Sequence, residues 1–160
     1  MSGLNPIAGP SEFGQVVAGR STLLHKRLVD SGIASLKEST RNQIRLVRYL
    51  EEADKNSKYL FAISTGMKAS PYINLTNRYI LPIGGFEGQD PSPSLSQFVS
   101  IVQSKELKYF VSADGKFNPD LRTARKMNLS SIEMWVLNHC LLDSKASFRE
   151  AIYDCSPSGT

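Results

Sequence analysis

Residues 59–91 read YLFAISTGMKASPYINLTNRYILPIGGFEGQDP and contain two short apolar runs. The runs Tyr59–Ser64 and Tyr79–Ile83 are too short for helices, rich in aromatic and β-branched residues, and bounded by Gly, Asn or Ser, which is typical of buried strands. Between them, Pro71 suits the first position of a helix, where its missing N–H costs nothing. Asn77 suits the left-handed position that ends a helix. The stretch therefore predicts a strand, a helix and a second strand.

The same alternation continues on both sides of this stretch. Three capping boxes, in which Ser or Thr precedes Gln or Glu by three residues, stand before apolar stripes at helical spacing and predict helix starts. They are Thr40–Gln43, Ser94–Gln97 and Ser130–Glu133. Two further short apolar runs, Lys108–Ser112 and Ala151–Tyr153, predict strands. From residue 39 onward, helices and strands are thus expected to alternate strictly.

Strict alternation of helices and strands favours a mostly parallel sheet with helices on its faces. Because parallel crossovers are right-handed, the economical α/β arrangement is a three-layer Rossmann-like sandwich with about four to five strands. We expect this α/β domain to occupy residues 39–155. Residues 1–38 are expected to form a flexible or weakly helical tail or linker, residues 156–160 a disordered tail, and the polar residues 113–128 a surface loop.

The composition excludes several classes of protein. The 160 residues carry a formal net charge of +4, which is too weakly basic to indicate nucleic-acid binding by itself. No apolar run approaches the roughly 18–20 residues of a membrane-spanning helix, and the N-terminal residues lack the pattern of a secretory signal. The two cysteines, Cys140 and Cys155, cannot make a disulfide framework or a zinc site. They could lie near each other, but free thiols are favoured.

Ligands of an open α/β sheet bind beyond the carboxyl ends of its strands, which directs attention to two loops. In the first loop, Ser64-Thr65-Gly66-Met67-Lys68 could cradle a phosphate or carboxylate through its hydroxyls and through exposed N–H groups at a helix start. The alternative is that Ser64 or Thr65 only caps the helix. The glycine patterns of dinucleotide-binding and Walker-type loops are missing, so a nucleotide site is not supported.

The second loop follows Tyr79–Ile83 and has three glycines in five residues, which lets the backbone approach a ligand closely. A sugar or a lipid-linked headgroup would suit this loop, with Phe86 as a stacking face and Asp90 as a hydrogen-bond acceptor. The alternative is a structural turn in which Asp90 bonds back to the chain before Pro91. The ligand-binding candidates of the two loops are Ser64, Thr65, Gly84, Gly85, Phe86, Gly88 and Asp90.

The sequence shows no catalytic or metal-binding constellation. A general acid or base could come only from Glu87, Asp90, Asp114 or the two histidines, and none of these has an evident partner. We therefore predict no catalytic residue and no metal ligand, and we expect no cofactor.

Three stretches resemble those of a known family, namely Tyr59–Ser64, Ala69–Ile73 and Ile80–Pro91. They are similar to the C-terminal domain of bacterial mannosyltransferase-like membrane proteins of the YkcA/YkcB type. This type belongs to the broad group that contains dolichyl-phosphate-mannose protein mannosyltransferases and aminoarabinose transferases. The resemblance extends over residues 43–154, and its specific part is the sequence GGFEGQDP.

The resemblance implies a soluble accessory domain that follows a membrane-spanning catalytic body and contributes acceptor or glycan binding. The chain alone is then not expected to be catalytic. Its partners would be the membrane-spanning glycosyltransferase and a glycan or polyprenyl-phosphate sugar, with no nucleic acid. Attached to such an enzyme, the domain would lie on the extracytoplasmic face; made alone, it would be cytoplasmic. Two alternatives stay open: a small soluble enzyme or binding protein for a phosphorylated sugar, and a non-functional remnant of a split gene.

Overall fold

The computed structural model describes residues 21–115 and 129–156, which contain four helices and five strands. None of the helices in these two ranges is long and apolar enough to cross a membrane. In chain order the elements are α1 (Ser21–Ala53), β1 (Tyr59–Ser64), α2 (Gly66–Ile73), β2 (Tyr79–Ile83), α3 (Leu95–Gln103), β3 (Tyr109–Ser112), α4 (Ser131–His139), β4 (Leu141–Leu142) and β5 (Ala151–Asp154).

The strands form one five-stranded mixed sheet in the order β2-β1-β3-β5-β4. β1 pairs in parallel with β2 and with β3, whereas β5 runs antiparallel to both β3 and β4. The predicted α/β class is therefore confirmed, and the expected parallel pairing holds for β2, β1 and β3.

The expected strict alternation of helices and strands is wrong after α4, because β4 and β5 follow each other and form a hairpin at that edge of the sheet. After α4, the short strand β4 runs in the same direction as β3, as the alternation predicts. Residues 143–150 then turn the chain back, and β5 inserts between β3 and β4 in the opposite direction. β4 is too short to predict, since it has only two residues and both are exposed.

Two of the three predicted capping boxes are confirmed. Ser94 caps α3 and Ser130 caps α4, and in each case the side chain three residues later accepts from the backbone N–H of the cap. The third prediction is wrong, because α1 already begins at Ser21 and Thr40 lies in its interior. A Thr–Gln spacing cannot start a helix where the preceding residues are already helical.

The predicted limits of the second helix are also wrong. α2 begins at Gly66, capped by the side chain of Thr65, and it ends at the cap residue Asn74 rather than at Asn77. Pro71 consequently lies inside the helix and not at its first position. The threonine cap comes earlier in the chain than the proline signal, and it determines where the helix starts.

Each face of the sheet carries its own hydrophobic core. Successive side chains of β3 alternate between the two cores, since Phe110 packs with α3 and α4 whereas Tyr109 and Val111 pack with α1 and α2. Helices therefore cover both faces. The helix residues of the first core are Phe98, Val102, Ile132 and Val136, and those of the second are Leu46, Val47, Leu50, Ala69 and Tyr72.

Cys140 and Cys155 form a disulfide, so the expectation of free thiols is wrong. Leu141 pairs with Asp154 in the antiparallel ladder of β4 and β5, and the two cysteines are the next opposed pair of that ladder. Their Cα atoms are 4.3 Å apart, and the bridge joins the end of α4 to the end of β5. The disulfide could not be predicted from the sequence, because strand β4, which brings the two cysteines opposite each other, was not predicted.

The segment between β4 and β5 is fixed to the face of the sheet that α1 and α2 cover. Tyr49 donates its hydroxyl to Asp143 Oδ2 over 2.5 Å, and Tyr72 donates to Glu150 Oε1 over 3.2 Å. The hydrogen bond to Asp143, with burial and the carboxylate charge, raises the pKa of Tyr49 to about 12. Burial, with a smaller effect of Glu150, also raises the pKa of Tyr72.

The chain divides into two compact units, Met1–Ser39 and Thr40–Thr160. All five strands belong to the second unit. Residues 21–38, expected to be a tail or linker, are helical and form the first part of α1. The rest of the expected N-terminal tail, most of the expected loop 113–128 and nearly all of the expected C-terminal tail lie outside the described residues.

Candidate functional site

A cleft opens at the carboxyl ends of the three parallel strands. The last residues of β1, β2 and β3 line it, together with the loops that follow these strands and the first turn of α4. Its volume is about 280 Å³, close to the lower end of the roughly 300–1,000 Å³ of small-molecule sites. The described lining is Ser64, Thr65, Lys68, Ile83, Gly84, Glu87, Gly88, Ser112, Asp114, Gly115, Leu129, Ser130 and Glu133.

The topology explains why the cleft lies at this edge. β1 continues into α2, which packs on one face of the sheet, whereas the chain after β3 leads to α4 on the other face. Because β1 and β3 are neighbours, the connections that leave them diverge and open a crevice between them. Open α/β sheets bind their ligands at such crevices.

Glu133 is the most firmly held carboxylate of the cleft. Its Oε1 accepts from Ser64 Oγ over 2.7 Å, and its Oε2 accepts from the backbone N–H of Ser130 over 2.8 Å. Ser130 Oγ in turn accepts from the backbone N–H of Glu133 over 3.2 Å. The first turn of α4 is thus joined directly to the end of β1, and the Glu133 side chain has little freedom to move.

Ser112 adds a further hydroxyl to the same cleft. In the parallel ladder of β1 and β3, Ile63 pairs with Val111, so that Ser64 and Ser112 follow as the next neighbours on the same face. Ser112 is only 3% exposed, yet it lines the cleft. Its side chain has no hydrogen-bond partner among residues 21–115 and 129–156. A hydroxyl of this kind at the wall of the cleft can donate to or accept from a ligand.

Lys68 supplies the cation of the described lining. It lies in the first turn of α2, and its Nζ contacts Asp114 Oδ2 over 2.5 Å. Asp114 follows β3 and is exposed, so this ion pair connects two walls of the cleft near solvent. The described lining thus has three carboxylates, those of Glu87, Asp114 and Glu133, and one ammonium group, that of Lys68.

The glycine loop after β2 folds tightly against itself. Gly84, Gly85 and Gly88 all have positive φ angles, of 82°, 68° and 88°. A Cβ on Gly84 would lie 2.8 Å from the Cα of Gly88, and one on Gly88 would lie 2.9 Å from Thr65 Cγ2. Three glycines are therefore required by the turn itself and by its contact with the start of α2.

The same loop consumes the backbone donors at the start of α2. The N–H groups of Thr65, Gly66 and Met67 donate to the carbonyls of Ile83, Gly85 and Phe86 at 2.8, 2.7 and 3.2 Å. The next N–H, that of Lys68, donates to Thr65 Oγ1 over 3.2 Å. Consequently, none of these four groups is free to bind the phosphate or carboxylate considered from the sequence.

Asp90 stabilises the loop and does not line the cleft. Its backbone N–H donates to the Gly84 carbonyl over 3.0 Å, and its Oδ1 accepts from the N–H of Ser92 over 3.1 Å. This is the structural turn that the sequence offered as the alternative. Phe86 is 68% exposed and also lies outside the lining, as does Gly85.

The cleft therefore brings together some of the predicted residues and adds others. Ser64, Thr65, Gly84 and Gly88 line it, whereas Gly85, Phe86 and Asp90 do not. Sequence reasoning did not propose Ser112, Ser130 and Glu133 as site residues. For Ser130 and Glu133 the signal was present but was interpreted only as a capping box. No group of three or more His, Cys, Asp or Glu side chains in the described ranges could hold a metal ion.

The fold and the cleft together define an α/β domain with a small polar cleft at the carboxyl edge of its sheet. Residues 46–139 match the family described as "Putative mannosyltransferase YkcB-like, C-terminal". The chain belongs to this family, and the resemblance inferred from the sequence is confirmed.

Two similar proteins come from Bacillus subtilis (strain 168). The chain is 37% identical to "Putative mannosyltransferase YkcB" over 78 residues, which are 49% of the chain and 11% of that protein. It is 30% identical to "Putative mannosyltransferase YycA" over 124 residues, which are 77% of the chain and 16% of that protein. The match thus covers a small part of each relative's length. No solved structure is significantly similar to the chain.

Proposed function

We propose that this domain is an accessory part of a mannosyltransferase-type membrane protein, in which it contributes acceptor or glycan binding rather than catalysis. The observation that carries the proposal is the cleft, whose lining combines serine and threonine hydroxyls with carboxylates. Such groups donate to and accept from sugar hydroxyls. Both relatives are named as mannosyltransferases and are several times longer than the matched region, which supports a larger parent protein.

The arrangement of the carboxylates favours binding over catalysis. Both oxygens of Glu133 already accept hydrogen bonds, and Asp114 is paired with Lys68. A general acid or base needs a group that can exchange a proton with the substrate. Glu87 is the remaining carboxylate of the described lining, and this lining contains no histidine to act with it.

The tight packing of the glycine loop supports a functional domain over a degenerate remnant. If the domain were a non-functional remnant, the geometry of this loop would be expected to be lost. Instead, the loop keeps glycine at the positions where a Cβ would collide with Gly88 or Thr65. It also closes on the start of α2 through two backbone hydrogen bonds, from Gly66 to Gly85 and from Met67 to Phe86.

The disulfide supports an extracytoplasmic position. Disulfides persist in oxidising compartments and are rare where thiols are kept reduced. We therefore propose that the domain lies on the outer face of the membrane, with a membrane-spanning glycosyltransferase body as its partner. We also propose that the two helical layers and the sheet form a Rossmann-like three-layer sandwich, with β5 as an antiparallel insertion.

The proposal is tested by calorimetric titration of the chain with a neutral mannose oligosaccharide. We expect saturable binding with one site per chain. Ser112→Ala should weaken binding by about tenfold, because it removes the unpartnered hydroxyl of the cleft. Ser100→Ala, on the exposed side of α3, is the matched control and should bind as the wild type does. Absence of binding to any mannoside, or equal affinity of the Ser112 and Ser100 variants, would contradict the proposal.

A further inference from the structure

We infer that the cleft selects an unphosphorylated sugar ring and rejects a sugar that carries a phosphate, an inference that rests on the sugar-binding function proposed above. The domain would then hold the acceptor or glycan and not the phosphate-bearing headgroup of a donor. The inference follows from the charge and type of the hydrogen-bonding groups that residues 21–115 and 129–156 contribute to the cleft.

The size of the cleft matches one ring. At about 280 Å³ it lies just below the range of typical small-molecule sites, so a single sugar ring fills it and a longer glycan must continue into solvent. Selection at this site therefore concerns the groups carried by one ring.

The backbone donors that a phosphate would use at the start of α2 are already engaged. A phosphate at a helix start binds free backbone N–H groups, but those from Thr65 to Lys68 bond to the glycine loop and to the Thr65 side chain. At α4, the carboxylate of Glu133 itself supplies the negative charge that the helix start attracts. The Lys68 ammonium is paired with Asp114.

In the part of the lining that the structure describes, the side-chain groups that remain open are mostly acceptors. Each carboxylate oxygen has two lone pairs, so Glu133 can accept from a ligand besides its bonds to Ser64 and Ser130. Asp114 and Glu87 add acceptors, and Ser112 can accept or donate. Sugar hydroxyls can donate to all of these groups, whereas a phosphate dianion would meet three carboxylates and one ion-paired ammonium group in the described part of the lining.

The inference is tested with two ligands that share a ring, methyl α-mannoside and α-mannose 1-phosphate, titrated against the full chain at low salt. The mannoside should bind at least about tenfold more tightly, because like charges brought together at a site cost binding free energy. Asp114→Asn should bind the phosphate more tightly than the wild type does, since it releases Lys68 and removes one carboxylate. Glu133→Gln should also reduce the preference for the mannoside over the phosphate, because it removes a carboxylate. The amide oxygen can still accept the hydrogen bond from Ser64.

Glu106→Gln is the control for net charge. Glu106 pairs with Lys58 near the amino end of β3, so this variant changes the charge equally but away from the cleft, and it should keep the discrimination. Tighter binding of the phosphate to the wild type would overturn the inference and leave the sugar-binding function standing. An Asp114→Asn variant that rejects the phosphate as strongly as the Glu106 control would also overturn it. If neither ligand binds, the proposed function itself fails.

Discussion

Ser64 Oγ donates to Glu133 Oε1 over 2.7 Å, although the two residues are 69 positions apart in the chain. The bond joins the last residue of β1 to the first turn of α4 and determines where the Glu133 carboxylate lies in the cleft. Because Ser130 holds the other carboxylate oxygen, the orientation of Glu133 depends on two partners from different parts of the fold.

Ser64→Ala removes one of these two partners. We expect the free energy of unfolding to fall by about 1–2 kcal/mol, because a half-buried carboxylate loses a hydrogen bond. Affinity for a mannoside should fall as well, since Glu133 is no longer held in place. Urea unfolding followed by circular dichroism measures the first effect. A variant with wild-type stability and affinity would show that the bond positions nothing.

Gly84→Ala tests whether the glycine loop is a constrained element. At φ +82° a Cβ would lie 2.8 Å from the Cα of Gly88, so the loop must open or strain. We expect a loss of at least about 2 kcal/mol in the free energy of unfolding. Gly32→Ala is the control, because a Cβ there meets nothing within 4 Å in α1 and should cost no stability. Equal stability of both variants would refute this account of the loop.

Replacement of both Cys140 and Cys155 by Ser tests the disulfide. The bridge closes a loop with a sequence separation of 15. Because a bridge across a loop of that length contributes about 3 kcal/mol, the free energy of unfolding of the double variant should be lower by that amount. The wild-type chain, produced in an oxidising compartment, should show no reactive thiol before reduction and two reactive thiols after reduction. Two reactive thiols in the unreduced, unfolded chain would contradict the disulfide and weaken the extracytoplasmic proposal.

The contact between Tyr49 and Asp143 should be sensitive to high pH. Its hydrogen bond raises the pKa of Tyr49 to about 12, above the value of about 10 in the unfolded chain. A raised pKa means that the contact stabilises the fold fully below pH 10 and is lost as the pH rises from 10 to 12.

Relative to Tyr49→Phe, the wild type should therefore be more stable by about 1–2 kcal/mol at pH 8, and this difference should disappear near pH 12. Absorbance titration at the tyrosinate band should show an ionisation of Tyr49 near pH 12 in the wild type. This ionisation should be missing from Tyr49→Phe. Tyr79→Phe, at an exposed position, should not change the stability at pH 8. A Tyr49 transition near pH 10 would contradict the contact.

Much of the fold can be predicted from local patterns. Tyr59–Ser64 and Tyr79–Ile83 are found with their correct limits, because both are apolar runs with clear turn residues on each side. The two exposed residues of β4 carry no such pattern, and neither the antiparallel insertion of β5 nor the disulfide follows without β4. The early start of α1 and α2 was missed because stronger-looking signals occur later in each helix.

The candidate site can be predicted only in part. The rule that ligands bind at the carboxyl ends of parallel strands points to the loops that contain Ser64 and Gly84, and both residues line the cleft. Ser112 lies in an ordinary strand pattern, and Glu133 has the pattern of a helix cap. Their placement beside Ser64 depends on the pairing of β1 with β3 and on α4 packing on that face, which no local pattern encodes.

The most direct test of a sugar site in this cleft is to map where methyl α-mannoside binds, by following the backbone amide resonances of the ¹⁵N-labelled chain during a titration. We predict saturable shifts that centre on Ser64, Ser112 and Glu133 and that are absent at Glu106, near the opposite end of β3. Saturable shifts elsewhere on the domain, or no shifts at the highest soluble concentration of the mannoside, would contradict the account.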